Sequence, residues 1–164
     1  MSNIGIRDAV ASDFEAIVAL NTAAVRHTSP MDLASLCRLD SISTYHKVII
    51  VEEVVAGFLL VMASGCEYRN DNFTWFASRY DSFLYVDRIV IGDHHQGLKL
   101  GTRLYRDLFA HAASIGITSI VCEYNLIPPN EPSRLFHNSF SFREVGTRWT
   151  HDSEKKVSLQ LAPV

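Results

Sequence analysis

The sequence predicts an α/β fold, with a central mixed sheet, mostly antiparallel, and flanking helices. Three observations carry this expectation. Two apolar, β-branched-rich runs, Lys47 to Glu53 and Val55 to Ala63, follow one another through the Glu52-Glu53 region and Gly57, as the arms of an antiparallel hairpin do. Phe83 to Ile91, the strongest strand in the chain, runs through a polar, glycine-containing turn into a segment with Leu100, Leu104, Leu108, Ala112 and Ile115 on one helical face. Further strand-like and helix-like segments alternate on both sides of these two units.

In chain order, Ile4 to Arg7 alternates apolar and polar as a short strand. Ser12 and Glu15 have the spacing of a capping box before the apolar positions Phe14, Ile17, Val18 and Val25, so a helix follows. A second helical stretch is expected after Pro30, using Met31, Leu33, Ala34 and Leu36. Beyond the hairpin, Glu67 to Asp81 holds Phe73, Trp75, Phe76 and Tyr80 at helical spacing and predicts an inserted helix. Gly116 ends the long helix, Ser119 to Tyr124 reads as a buried strand, and a proline-rich loop leads into a short helix over Ser133 to Asn138. Phe142 to Thr147 and Lys156 to Leu161 complete the sheet.

With 164 residues, the chain reads as one domain, residues 1–164, without repeat, linker or low-complexity tract. Apolar residues at 48% and charged residues at 20% describe an ordinary globular protein, and a formal charge of −3 gives no general attraction to nucleic acid or to an anionic membrane. Neither partner is expected. No stretch approaches the apolar length of a membrane span and the start lacks a signal-peptide pattern, which points to the cytoplasm. Cys37, Cys66 and Cys122 are odd in number and widely spaced, as reduced thiols are. His94-His95 lacks the spaced further ligands of a zinc site, so no metal is expected.

The turn from Gln96 to Thr102 carries most of the chemistry. A strand passing through such a turn into a helix points several backbone N–H groups at one spot, where the helix end contributes roughly half a positive charge. Gly97 and Gly101 allow close approach of a pyrophosphate, and Lys99 and Arg103 add positive charge. Glycines at such a turn also serve tight packing alone, and the turn by itself leaves both readings open. Neither the Walker phosphate loop nor the dinucleotide fingerprint is present.

Gln96-Gly97-Leu98-Lys99-Leu100-Gly101 resembles the phosphate turn of the GNAT superfamily of N-acetyltransferases, written [QR]-x-x-G-x-[GA], with Lys99 in place of the inner glycine. Asn130-Glu131-Pro132-Ser133-Arg134-Leu135-Phe136-His137 through Phe142 is similar to the same family's N-x-x-S-x-x-F-[YH]-x-x-x-G-F stretch, with Ser141 in the glycine slot. Element order agrees along nearly the whole chain. The resemblance implies parallel fourth and fifth strands that splay apart, with the pantetheine arm of acetyl-CoA lying along the backbone of Ile89, Val90 and Ile91 as an added strand. It implies that Gln96, Gly97, Leu98, Lys99, Leu100, Gly101 and Thr102 hold the phosphates, and that Asn130, Ser133 and Phe136 complete the acetyl-CoA site.

Acyl transfer to an amine requires a neutral nucleophile, stabilisation of the thioester oxygen and a route for the departing thiolate. Glu123 and Asp87, on the fifth and fourth strands near the splay, are the candidate bases. Glu123, in an otherwise apolar strand, has the stronger claim through desolvation, and Asp87 would orient the ammonium group or pair with Arg88. His137 holds the family position of the group that protonates the thiolate, while Tyr85, Tyr105 and Tyr124 are alternative hydroxyl donors. No serine or cysteine has a recognisable base partner, which favours direct transfer over an acyl-enzyme.

The expected activity is therefore acetyl transfer from acetyl-CoA to a primary amine borne by a small molecule or a peptide. The rival is a non-catalytic acyl-CoA sensor, motivated by Lys99 and Ser141 in glycine slots. An acceptor pocket open to the thioester separates the two. Edge strands leave a homodimer open.

Overall fold

The computed structural model describes residues 3–164 as one seven-stranded sheet with helices on both faces. The strands are β1 (Ile4–Asp8), β2 (Tyr45–Val51), β3 (Val54–Ala63), β4 (Leu84–Ile91), β5 (Ser119–Ile127), β6 (Arg143–Trp149) and β7 (Lys156–Pro163). The helices are α1 (Phe14–Ala23), α2 (Leu33–Ile42), α3 (Asp71–Ala77), α4 (Leu100–Ser114) and α5 (Glu131–Asn138). Strand order is β1-β2-β3-β4-β5-β7-β6, and every neighbouring pair is antiparallel except β4 and β5.

Glu52 and Glu53 form the two-residue turn between β2 and β3, both with positive φ, as a turn matched to the right-handed twist of a hairpin requires. The unbroken apolar character of β3 follows from burial on both faces. Phe58, Leu60 and Met62 enter one core with Phe14, Ile17 and Leu36 of the first two helices and Phe73 and Phe76 of α3. Leu59 and Val61 enter the second, beneath Leu100, Leu104, Tyr105 and Leu108 of α4.

Several local details differ from the sequence reading: Val25 and Ile115, expected on apolar helix faces, lie just past the ends of α1 and α4 and are exposed. Ser12 and Glu15 form no capping box: both are exposed, residues Ala11–Asp13 make a 3-10 turn, and the buried Asp13 accepts from the Val10 N–H at 2.9 Å and from both Arg7 Nη atoms at 2.7 and 3.0 Å. A guanidinium and a backbone donor together outcompete the weaker local cap. The inserted helix is shorter than Glu67 to Asp81, because Asn70 caps it at the Phe73 N–H.

Candidate active site

β4 and β5 hydrogen-bond only at Leu84 with Ile120 and Tyr85 with Val121, then separate. A cleft of about 930 Å³ opens between them. Beyond Tyr85, the side of β4 that faces β5 has no strand partner, although β3 pairs with the other side as far as Ile91.

A bulge sets what β4 shows to the cleft. Leu60 pairs with Arg88 and Val61 with Val86, so Asp87 has no partner on β3. Before the bulge, Phe83 and Tyr85 face the α1–α3 core while Leu84 and Val86 face α4; after it, Val90 faces α1–α3 while Ile89 and Ile91 face α4. The period-two pattern thus changes phase at Asp87, as an extra residue in one strand demands. Asp87 and Arg88, although consecutive, bond to each other at 2.6 Å and both reach the α1–α3 side. Asp87 accepts from the Tyr68 hydroxyl, and Arg88 Nη1 donates to Asn21 Oδ1 at 3.1 Å and to the Ser29 carbonyl at 3.0 Å.

Glu123 projects from β5 to the same side, at the root of the splay. The Tyr85 hydroxyl reaches its two oxygens at 2.8 and 2.7 Å. Burial pushes its pKa up to about 7, and the negative charge of Asp87 adds to the shift; the hydrogen bonds from Tyr85 and Asn72 and the charge of Arg148 oppose it. Part of the side chain still meets the cleft. A carboxyl titrating near neutrality beside a solvent-connected cleft is suited to proton transfer.

His137 lies on the α4–α5 side. Its ring is buried, Nδ1 sits 2.7 Å from the Ser133 carbonyl, and Nε2 sits 2.7 Å from the Tyr105 hydroxyl. A carbonyl only accepts, so the neutral ring carries its proton on Nδ1 and Nε2 accepts from Tyr105. Burial lowers the His137 pKa and raises that of Tyr105. Both ring nitrogens are thus engaged, a feature invisible in the sequence motif. Tyr124, one residue beyond Glu123 and on the opposite face, stands near the His137 ring with centroids 5.9 Å apart.

Lys99 precedes α4 in the left-handed conformation, φ 57°, and gives the helix no side-chain cap. The first intrahelical bond is from the Arg103 N–H to the Lys99 carbonyl at 3.1 Å, and the N–H groups of Leu100, Gly101 and Thr102 have no partner among the described residues. Three free amides at the positive end of a 15-residue helix fit a phosphate. Gly97 supplies a second positive φ, of 84°. Gly101 also serves packing, since a Cβ there would lie 3.3 Å from the Phe136 ring.

Ser141 likewise has φ 65°. The Phe142 N–H bonds to the His137 carbonyl at 3.3 Å and the Ser141 N–H to the Asn138 carbonyl at 3.2 Å, closing α5 in a Schellman motif. Both departures from the glycine pattern therefore fall at left-handed positions, and in both the backbone adopts the conformation glycine would favour.

Of the predicted binding residues, Ile89, Ile91, Gln96, Gly97, Lys99, Leu100, Gly101, Thr102, Asn130, Ser133 and Phe136 line the cleft together with Asp87, Glu123 and His137. Val90 is buried away from it and Leu98 is exposed outside it. Asn130 Oδ1 caps α5 at the Ser133 N–H, 3.3 Å away, and Gln96 Nε2 donates to the Ile91 carbonyl at 3.0 Å. These side chains shape the site. Val25 to Pro30, Thr150 and Lys155, with Tyr68 and Asn72, also wall the cleft and were not among the expected site residues. Loop residues at those places carry no periodic signal.

Compared with family models, residues 12–142 match the acetyltransferase (GNAT) family. No curated protein sequence matches the chain. Among solved structures, Ard1 from Thermoplasma volcanium is similar over 98% of this chain and 97% of its own, with TM-score 0.79 and 14% identity. An N-acetyltransferase from Staphylococcus aureus Mu50 is similar over 98% of each chain, with TM-score 0.74 and 18% identity. The putative acetyltransferase yncA from Salmonella typhimurium, solved with its cofactor acetyl-CoA, is similar over 98% of this chain and 94% of its own, with TM-score 0.72 and 20% identity. At these identities the likeness is one of fold.

Proposed function

The chain belongs to the acetyltransferase (GNAT) family, and from that premise we propose that it transfers the acetyl group of acetyl-CoA directly to a primary amine, with Glu123 as the general base. Acetyl-CoA supplies the activated thioester. The observation that carries the reading is the placement of Glu123 and His137 on opposite faces of the sheet, both lining the one cleft that opens where β4 and β5 part. The amine approaches from the α1–α3 side and the thiolate departs towards α4 and α5.

On the approach side, Glu123 takes a proton from the attacking nitrogen. Its raised pKa brings it nearer an alkyl ammonium of about 10.4 than an ordinary glutamate of about 4.3 would be. Asp87, neutralised by Arg88, orients the ammonium group. The carbon–sulfur bond breaks as the carbon–nitrogen bond forms, giving an acetamide and CoA.

On the departure side, His137 would stand beside the thioester, with the Tyr105 hydroxyl bonded to its Nε2. Neither offers a ready proton, for burial keeps the imidazole neutral and disfavours the phenolate. A thiolate of pKa about 8.5 leaves with little help, so we assign His137 a small assisting role. The binding half comprises the β4 backbone from Ile89 to Ile91, the amides of the turn from Gln96 to Thr102, and the α5 residues Ser133 and Phe136.

The sensor alternative loses its motivation, because Lys99 and Ser141 both hold glycine-like conformations, and Tyr68, Asn72 and Val25 to Pro30 line the cleft together with Glu123 as room for an acceptor. From the three unpaired cysteines we propose a reducing, cytoplasmic setting. Calorimetric titration with acetyl-CoA, with a nicotinamide dinucleotide as control, tests the binding half. Saturable binding selective for acetyl-CoA is expected, and its absence with folded protein would overturn the reading.

A further inference from the structure

The charges of the cleft run against those of the whole molecule. The chain carries a formal net charge of −3, yet Arg26, Arg88, Lys99 and Lys155 line the cleft against only Asp87 and Glu123. Lys99 belongs to the phosphate turn. The other three lie outside it: Arg26 on the loop after α1, Arg88 in β4, and Lys155 on the loop before β7.

Arg88 is the buried member, its side chain 9% exposed. Nε is committed to Asp87 and Nη1 to Asn21 and Ser29, while no hydrogen bond among the described residues uses Nη2. This network holds the guanidinium rigidly and ties it to the Val25 to Pro30 wall, so Nη2 brings two fixed donors without further ordering. Arg26 and Lys155 are exposed and make no ion pair among the described residues. Asp152, in the same loop as Lys155, commits Oδ1 to the Thr150 hydroxyl and the Glu154 N–H and does not line the cleft.

A polycation entering here meets a pocket with surplus positive charge and only one carboxylate, Glu123, not already paired. An acceptor carrying a negative group near its amine meets the reverse: Glu123 for the nitrogen, and the free Nη2 of Arg88 with two exposed cations for the anion. We infer that the acceptor is an amine bearing a carboxylate a few atoms from its nitrogen, with Arg88 as the fixed anchor and Arg26 and Lys155 as the rim that draws it in. This rests on the acetyl-transfer reading above. The carboxylate belongs either to a free amino acid or to the acidic side chain of a peptide's first residue.

The test measures acetyl-CoA-dependent thiol release with matched acceptors: free amino acids, their carboxamides, the corresponding decarboxylated amines, linear polyamines, and peptides beginning with an acidic or an isosteric amide residue. A kcat/KM at least tenfold higher for the carboxylate member of a pair supports the inference, and the free or peptide series in which this appears identifies the source. Arg26→Glu and Lys155→Glu, both exposed changes, are expected to raise KM for carboxylate acceptors several-fold. The preference for the carboxylate member over its neutral partner should fall with it. Equal or better turnover of neutral amines or polyamines overturns the inference and leaves acetyl transfer intact; release with none of the acceptors contradicts both.

Discussion

The Tyr85 hydroxyl lies 2.8 Å from one Glu123 oxygen and 2.7 Å from the other, across the last hydrogen-bonded rung before β4 and β5 part. Tyr85 is fully buried between the helices of the α1–α3 face, so this hydroxyl is held by packing. It fixes the carboxyl at the root of the cleft while leaving it protonatable near neutrality.

That placement is destabilising. A glutamate raised from an ordinary 4.5 to about 7 binds its proton more tightly in the folded state, so folding loses stability as pH rises from the unfolded value through the folded one. The loss amounts to about 3 kcal/mol and is complete above pH 7. Glu123→Gln is therefore expected to raise the melting temperature at pH 8 and to give little gain near pH 4.5, as thermal melts across that range would show.

The left-handed residues offer a second test. An L-residue in this region costs about 1–2 kcal/mol, partly offset because glycine gains freedom in the unfolded chain. Ser141→Gly is expected to stabilise by about 0.5–1 kcal/mol in urea titrations, and Ser141→Val to destabilise by more than 1 kcal/mol. The result would explain why a glycine motif tolerates serine here.

Lys99 combines the same backbone demand with a charge. Lys99→Gly should relax the turn yet remove a cation beside the α4 amides, so acetyl-CoA affinity is expected to fall several-fold at low salt. The difference from the parent protein should shrink as ionic strength rises, because screening acts on the charge and not on the hydrogen bonds. Calorimetry at two salt concentrations separates the two contributions.

His137 and Tyr105 satisfy each other inside the molecule. Tyr105→Phe leaves a buried Nε2 without a donor and is expected to lower stability by about 1–3 kcal/mol. His137→Ala should lower kcat by less than tenfold, consistent with a thiolate that leaves largely unaided. A loss of a thousandfold in kcat from His137→Ala would instead make it an obligatory acid.

The sequence reading reached far for the elements whose signal is periodic. β3 and α4 follow from apolar spacing, and residues of both family-like motifs, around Gln96 to Thr102 and Asn130 to Phe136, line one cleft. The desolvation of Glu123 was legible because a lone carboxylate in Ser119 to Tyr124 has few means of avoiding burial. The bulge at Asp87 was not, since an extra residue changes the phase of an alternating strand only when its partner's register is known. Nor was the insertion of β7 between β5 and β6, which depends on pairing distant in sequence. The engagement of His137 by Tyr105 joins residues 32 positions apart and leaves no trace in either motif.

The most direct test of the central claim is the pH dependence of acetyl-CoA turnover by the parent protein and by Glu123→Gln, with one acceptor amine followed by thiol release. The parent's kcat should rise with pH through an apparent pKa near 7, and the variant should lose about 10²-fold or more in kcat together with that limb of the profile. A variant that keeps both the rate and the limb near pH 7 would contradict Glu123 as the base.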